Sequence, residues 1–252
     1  MTRTAIVSAL REELAAVLEL MPDEQRQVVA GREFWRGHLH GYEVVAALSG
    51  IGKVAAATTA TLLIERFKVD DVLFTGVAGG LAPGVRVGDL VVASEFLQHD
   101  MDASPLFPRY EIPGTGLSRL PADQALTATL SRAAQAALAD LPHLLDPAAR
   151  QEFGLQAPRL HRGLLVSGDR FVASAAESQA LQQALPEALA VEMEGAAFAQ
   201  VCRDFGVPLA VVRTVSDRAD DAAHVDFLRF LRGVASPYSA AVLEHFFKTL
   251  AI

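Results

Sequence analysis

The chain has 252 residues, 51% of them hydrophobic, with a mean hydropathy of +0.27 and a formal charge of −8. That length suits one α/β domain with an ample core, and an acidic balance without any run of Lys or Arg argues against nucleic acid as a partner. The single cysteine, Cys202, excludes a disulfide framework or a cysteine metal cluster, and no apolar run approaches the ~20 residues of a membrane span.

"TAIVSAL" opens the chain as a short buried strand, and "REELAAVLELM" follows as a helix with Leu14, Val17, Leu18 and Met21 on one face. Arg11, Glu12 and Glu13 interrupt what would be the apolar core of a signal peptide, so the cytoplasm is the expected location. "EFWRGHLHGYEVVAALSG" alternates about His40-Gly41 as a hairpin does, and an Ala- and Thr-rich helix is predicted over 53–67. "DDVLFTG" and "GDLVVAS" read as strands joined by a glycine-rich turn, "GVAGGLAPGVRV". "QHDMDASPLFPRYEIPGTG" has no period and reads as a long loop, a length that is usually functional in a compact domain. A helix over 122–140 and a surface excursion over 142–158 come next. "RGLLVSG", "ALAVEM" and "LAVVRTVS" supply three more strands, with helices over 175–185 and 195–205, and two helical stretches, 223–232 and 236–250, close the chain. The alternation predicts one α/β domain with a mixed, largely parallel central sheet and helices on both faces.

Ligands in such sheets bind beyond the carboxyl ends of the strands. Three acids, Glu13, Glu194 and Asp217, fall at those ends, and the turn at Ala78 and Gly79 lets a ligand approach backbone. Each acid also has a plain structural reading. Glu12, Glu13 and Glu194 open helices, where the dipole favours carboxylates, and Ser216 and Asp217 fit a helix cap. The turn lacks the dinucleotide spacing G-x-G-x-x-G, and "SGIGKV" lacks the Ser or Thr of a phosphate-binding P-loop. His99 and His161 have no second ligand at useful spacing and read as loop and surface histidines, so neither metal nor cofactor is expected. Separated acids without a metal suit cleavage of an N-glycosidic bond: one protonates the leaving base, one orients water and one holds sugar hydroxyls.

The stretches "SALREE", "LSGIGKVAAA", "FTGVAGGLAPGVRVGDLVV", "QHDMD", "RGLLVSGDRFV", "AVEMEGAAFAQVC" and "VPLAVVRTVSDRAD" resemble the nucleoside phosphorylase/nucleosidase superfamily. Within it they look most like the 5′-methylthioadenosine/S-adenosylhomocysteine nucleosidases, in family order over about residues 4 to 232. The resemblance implies a homodimeric hydrolase of purine nucleosides in methionine salvage. It implies that Asp217 protonates purine N7 with help from Ser216, and that Glu13 polarises the attacking water with Arg213 nearby. It gives Glu194 to the ribose hydroxyls, Met193 to the sugar face and Glu192 to support or a weaker ribose contact. Phe171 stacks on the base, the backbone of Val172 reads the adenine edge, and Leu10 and Ile51 line the pocket for the 5′ substituent. Phe107 and Tyr110 are candidates for an aromatic side chain that reaches the neighbouring subunit's 5′ pocket. Phosphorylases of this superfamily carry Arg and Ser or Thr where Phe74 and Val77 stand here, which favours water over phosphate. Many nucleosidases also carry Ser at the position of Val77, so Glu13 and Arg213 take more of the task of holding water. The alternatives are a hydrolase of another purine nucleoside such as futalosine, a phosphate-dependent purine nucleoside phosphorylase, and a nucleoside-binding protein without catalysis.

Overall fold

In the computed structural model, which describes residues 2–219 and 227–250, the first apolar run becomes strand β1 (Thr4–Ser8), buried along its whole length. A strand buried on both faces needs partners at both edges and cover above and below. It pairs in parallel with β4 (Tyr42–Leu48) and β5 (Asp71–Phe74). Its alternate side chains then enter two cores. Ala5 and Val7 pack with Ala56, Ala60 and Leu63 of helix α2 (Lys53–Glu65) and with Ala196 and Phe198 of α7 (Gly195–Phe205). Ile6 packs on the other side with Leu14 and Val17 of α1 (Arg11–Glu19), Ala134 of α3 (Gln124–Ala139) and Phe247 of α9 (Ser236–Leu250). The period-2 geometry of one strand thereby sets a three-layer arrangement.

The predicted hairpin joins β3 (Arg32–Leu39) to β4, with φ of 49° at His40 and 83° at Gly41, the left-handed pair that a tight two-residue turn requires. A second such turn at Ala30 and Gly31 adds β2 (Gln25–Val29) on the edge. Its sequence, "QRQVV", is too polar to read as a strand; an edge facing water needs no apolar alternation.

The glycine-rich segment read as a turn contains strand β6 (Val77–Gly80). It runs parallel to β11 (Leu209–Asp217) and antiparallel to β10 (Ala188–Glu192). Beyond β10 come β9 (Leu160–Ser167), β7 (Leu90–Gln98) and the short β8 (Leu120–Pro121). The long β11 also pairs with β5 through its first residues and with β7 through Val212–Thr214. Strands β11, β6, β10, β9 and β7 thus close on themselves beside the open part of the sheet. Parallel pairs hold the centre, and the described edges are antiparallel.

The segment over 142–158 is more than a surface excursion. It contains part of α4 (Leu141–Leu144) and the whole of α5 (Pro147–Glu152), and Leu141, Leu145 and Leu155 are buried in the second core. Helix α6 (Ala175–Ala184) lies on the outside with no buried residue. The helix predicted over 223–232 is described from 227 onward: α8 (Phe227–Phe230) passes through a π turn (Leu231–Ala235) into α9, while 223–226 lie outside the described residues. Cys202 is buried in α7, where desolvation pushes its thiol up to about 12 and keeps it from reacting as a thiolate. Among the described residues no helix is long and apolar enough to cross a membrane.

Candidate active site

A cavity of about 160 Å³ opens where strands β1, β6, β9, β10 and β11 end. Its wall includes Leu10, Glu13, Ile51, Ala78, Gly79, Phe171, Val172, Glu192, Met193, Glu194, Ser216 and Asp217. The three strand-end acids, far apart in sequence, therefore share one wall.

Glu13 lies in the first turn of α1 but is 1% exposed. Its Oε2 accepts the N–H groups of Ala9 and Leu10 at 2.9 and 2.8 Å, closing the open start of the helix. Its Oε1 accepts the Val77 N–H at 3.0 Å. Burial raises its pKa against the lowering pull of these N–H groups and of Arg213.

Glu192 and Glu194 are separated by one residue yet play different structural parts. Glu192 accepts the N–H groups of Glu194 and Gly195 at 2.9–3.1 Å, so it satisfies orphan donors at the start of α7. It also accepts the Ser167 hydroxyl and pairs with Arg213 Nη2 at 2.8 Å. With that many donors its oxygens are largely occupied by the protein, which suits the supporting part, although the residue also lines the cavity. Glu194 faces the other way: Oε1 accepts the Gly52 N–H at 2.9 Å across the cavity mouth. Burial, then the neighbouring Glu192, push its pKa up to about 8, and Arg213 and the Gly52 N–H only partly oppose them. One buried cation among three carboxylates cannot neutralise them all, which favours the protonated form of Glu194.

Arg213 is 1% exposed and does not line the cavity. Its guanidinium lies 4.0 Å over the Phe74 ring, and Nη1 makes no hydrogen bond among the described residues. A Cβ on Gly76 would sit 3.0 Å from Glu13 Oε1 and 3.2 Å from Arg213 Nη1, so both atoms crowd the side of the glycine where a side chain would project.

Ser216 and Asp217 reach the cavity together because the β11–β6 register slips between Val215 and Asp217. In a regular strand adjacent side chains point to opposite faces; a bulge re-aims one of them. The Ser216 hydroxyl donates to Asp217 Oδ2 at 2.7 Å and the Ala219 N–H donates to Oδ1 at 2.7 Å. The carboxyl is half-buried, beside Gly79, where a Cβ would come within 3.0 Å of Oδ1. Phe171 stands at the mouth, 43% exposed, with Val172 buried behind it.

A profile of the phosphorylase superfamily matches residues 3–248.

The chain belongs to the phosphorylase superfamily.

It is 40% identical over 243 residues to the 5′-methylthioadenosine/S-adenosylhomocysteine nucleosidase of Geobacillus thermodenitrificans, a match that covers 96% of this chain and 95% of the relative. The fold superposes with a TM-score of 0.85 at 33% identity on the nucleosidase of that name from Neisseria meningitidis, solved with methylthio-immucillin-A, over 99% of this chain and all of the other. Futalosine hydrolase of Helicobacter pylori gives 0.84 at 35% identity, over 98% of each chain.

For a member of this superfamily, the filling of the β5–β6 turn is informative. Phe74 forms the platform under Arg213, and Val77 offers Glu13 a backbone N–H in place of a hydroxyl. Arg170 is the one cation lining the cavity among the described residues; its side chain is 75% exposed and paired with Glu177. Phe107 does not line the cavity of its own chain. Neither histidine is a free surface group. His161 bonds buried Asp89 at 2.8 Å, and His99 packs its ring against Gly168 with Nε2 buried; burial lowers its pKa. Among the described residues no three of His, Cys, Asp and Glu are grouped as metal ligands. The sequence reading missed Gly52 and Ser167. "SGIGKV" failed as a phosphate loop, but its glycines opening a helix were the sign of an exposed N–H, here aimed at Glu194.

Proposed function

We propose that the protein is an N-glycosyl hydrolase that releases adenine from 5′-methylthioadenosine and S-adenosylhomocysteine. The observation that carries this reading is the convergence of Glu13, Glu194 and Asp217 on one largely apolar cavity, in a chain so similar to nucleosidases of that name.

The bond that breaks is C1′–N9, and the charge that develops is positive on the sugar and negative on the purine. Asp217 delivers a proton to N7, so the base leaves neutral. The Ser216 hydroxyl can donate to the carboxylate or turn to accept from the acid, so one contact serves both protonation states. Water attacks C1′ and yields its proton to Glu13. Burial raises the pKa of Glu13, which makes it a stronger base, and the Arg213 guanidinium behind it, near the same side of Gly76, balances the charge that Glu13 carries when ionised. Glu194 accepts the ribose hydroxyls with its remaining oxygen, Met193 packs against the sugar, and Ile51 and Leu10 bound the 5′ group. Phe171 stacks on the base and Val172 reads its edge.

A phosphorylase would need to stabilise a phosphate dianion next to Glu13. Buried carboxylates and an aromatic ring at position 74 oppose that. A pure nucleoside binder has no use for buried acids that cost stability. The nearest second reading is a futalosine hydrolase, favoured by the equally good superposition on the Helicobacter enzyme. Adenine release in phosphate-free buffer tests the first reading. Strict phosphate dependence sinks it, and turnover of futalosine alone selects the second. The same reading places the protein in the cytoplasm, in methionine salvage, as a homodimer.

A further inference from the structure

The two lips of the cavity come from distant parts of the chain. One is the 49–52 turn, which carries Ile51 and the Gly52 N–H and leads into α2 at Lys53. The other is the 168–172 turn, which carries Arg170, Phe171 and Val172. Neither turn belongs to a helix or strand, so something outside the regular structure must set the distance between them. A side-chain network does so. The Lys53 N–H donates to Asp169 Oδ1 at 2.7 Å, joining lip to lip directly. Lys53 Nζ donates to Asp100 Oδ1 at 2.6 Å and to Gln98 Oε1 at 3.1 Å, while the Asp169 N–H donates to Asp100 Oδ2 at 2.8 Å. Asp100 therefore grips one lip with each oxygen. Gln98 is anchored in turn by Gln200 of α7 at 2.8 Å, on the helix that Glu194 opens.

The surroundings fit a built device. The Lys53 side chain is 17% exposed, so its pairing with Asp100 is partly shielded from solvent. Burial alone would raise the Asp100 carboxyl; the Lys53 ammonium and the Asp169 N–H outweigh it and hold the group below its usual range. Residue 52 has φ of 92° and a Cβ there would meet Asp169 Oδ1 at 3.0 Å, so only glycine lets the lips approach this closely. At 168 a Cβ would fall 2.4 Å from His99 Nε2, so the His99 ring fills the space beneath the second turn.

We propose that Lys53 and Asp100 are positioning residues for the nucleoside, a clasp that fixes the Gly52 turn on Glu194 and the 170–172 wall at the width the ligand needs. It acts through Glu194 and Phe171 rather than on reacting atoms, and as a statement about catalysis it rests on the hydrolase reading above.

The tests are Asp100→Asn, Lys53→Met and the pair combined, with Lys53→Arg as the conservative control. Substrate affinity should fall while the chemical step survives: KM for 5′-methylthioadenosine rises about tenfold in each single variant, with kcat within about threefold. The double variant should be no worse than the poorer single, because both remove one clasp, and Lys53→Arg should recover part of the loss. Melting temperature and sedimentation should stay at wild-type values. An unchanged KM in Asp100→Asn, additive losses, or a KM that moves only in step with unfolding or dissociation overturns the proposal. Amide exchange at residues 52, 53 and 169 tests the clasp without substrate. Protection should drop about tenfold in Asp100→Asn, and equal protection overturns it even for a protein that cleaves nothing. Wild-type protein that releases no adenine would instead count against the hydrolase reading.

Discussion

At the scale of single residues, the two glutamates of "VEMEG" divide the labour by the donors they meet. Glu192 finds two helix N–H groups, a serine and an arginine, while Glu194 finds one N–H and an apolar cavity. A carboxylate starved of donors holds its proton. With the pKa of Glu194 raised from 4.5 to about 8, the folded state binds a proton that the unfolded chain has released. Its contribution to stability is therefore most favourable at low pH and is lost as pH rises through that window. Ribose hydroxyls donate to the ionised form, so nucleoside binding near pH 7 should expel protons, and affinity should strengthen toward pH 8. Calorimetry in two buffers of different ionisation enthalpy measures this. Glu194→Gln should abolish the released proton and flatten the pH dependence; release that persists in the variant would reassign the group. For Asp217→Asn the expectation is a turnover lower by ~10²–10⁴-fold with nucleoside binding retained, since an amide cannot deliver the proton. Near-normal single-turnover rates in that variant would remove Asp217 from its part.

At the scale of elements, the site is made by irregularities in otherwise regular strands. The β5–β6 turn brings Gly76 against both Glu13 and Arg213, and a methyl group there would press on both polar atoms. Gly76→Ala should lower kcat by ~10²-fold, as small misplacements of reacting groups do, with thermal unfolding confirming that the fold survives. A kcat near wild type would mean that the space beside Gly76 takes no part in chemistry. These irregularities also explain what the sequence could and could not convey. Strands with continuous apolar runs, such as "TAIVS" and "LAVVRTV", announce themselves, because burial on both faces demands it. β6 does not: Gly79 and Gly80 are small because Ala219 and Val215 press against them, a tertiary constraint with no period. The slip that brings Ser216 beside Asp217 is likewise set by a neighbouring strand. The acids were legible from their place at strand ends. The burden carried by Glu192 was not, since its four donors come from three separate stretches of chain.

At the scale of the whole molecule, the exposed apolar side chains are unevenly spread. Ile51 and Val54, at the start of α2, are 58% and 78% exposed, and Leu106, on the long 99–119 segment, is 84% exposed. Ile51 and Val54 flank Lys53, and Leu106 follows Asp100, the residue that Lys53 pairs with, so the chain near the cavity mouth carries apolar side chains that are costly to leave in water. If the proposed homodimer forms through these side chains, a second copy of the chain would cover them and Phe107 of one subunit would come toward the mouth of the other. Leu106→Glu should then do two things at once. It should shift sedimentation from dimer to monomer at micromolar concentration, because a buried unpaired carboxylate costs several kcal/mol at an interface. It should also raise KM for nucleosides with a bulky 5′ group more than for adenosine, since only the former reach the rim that the neighbour completes. A variant that stays dimeric with unaltered 5′ preference would place the interface elsewhere, and the long segment would have to owe its exposed leucine to some other contact.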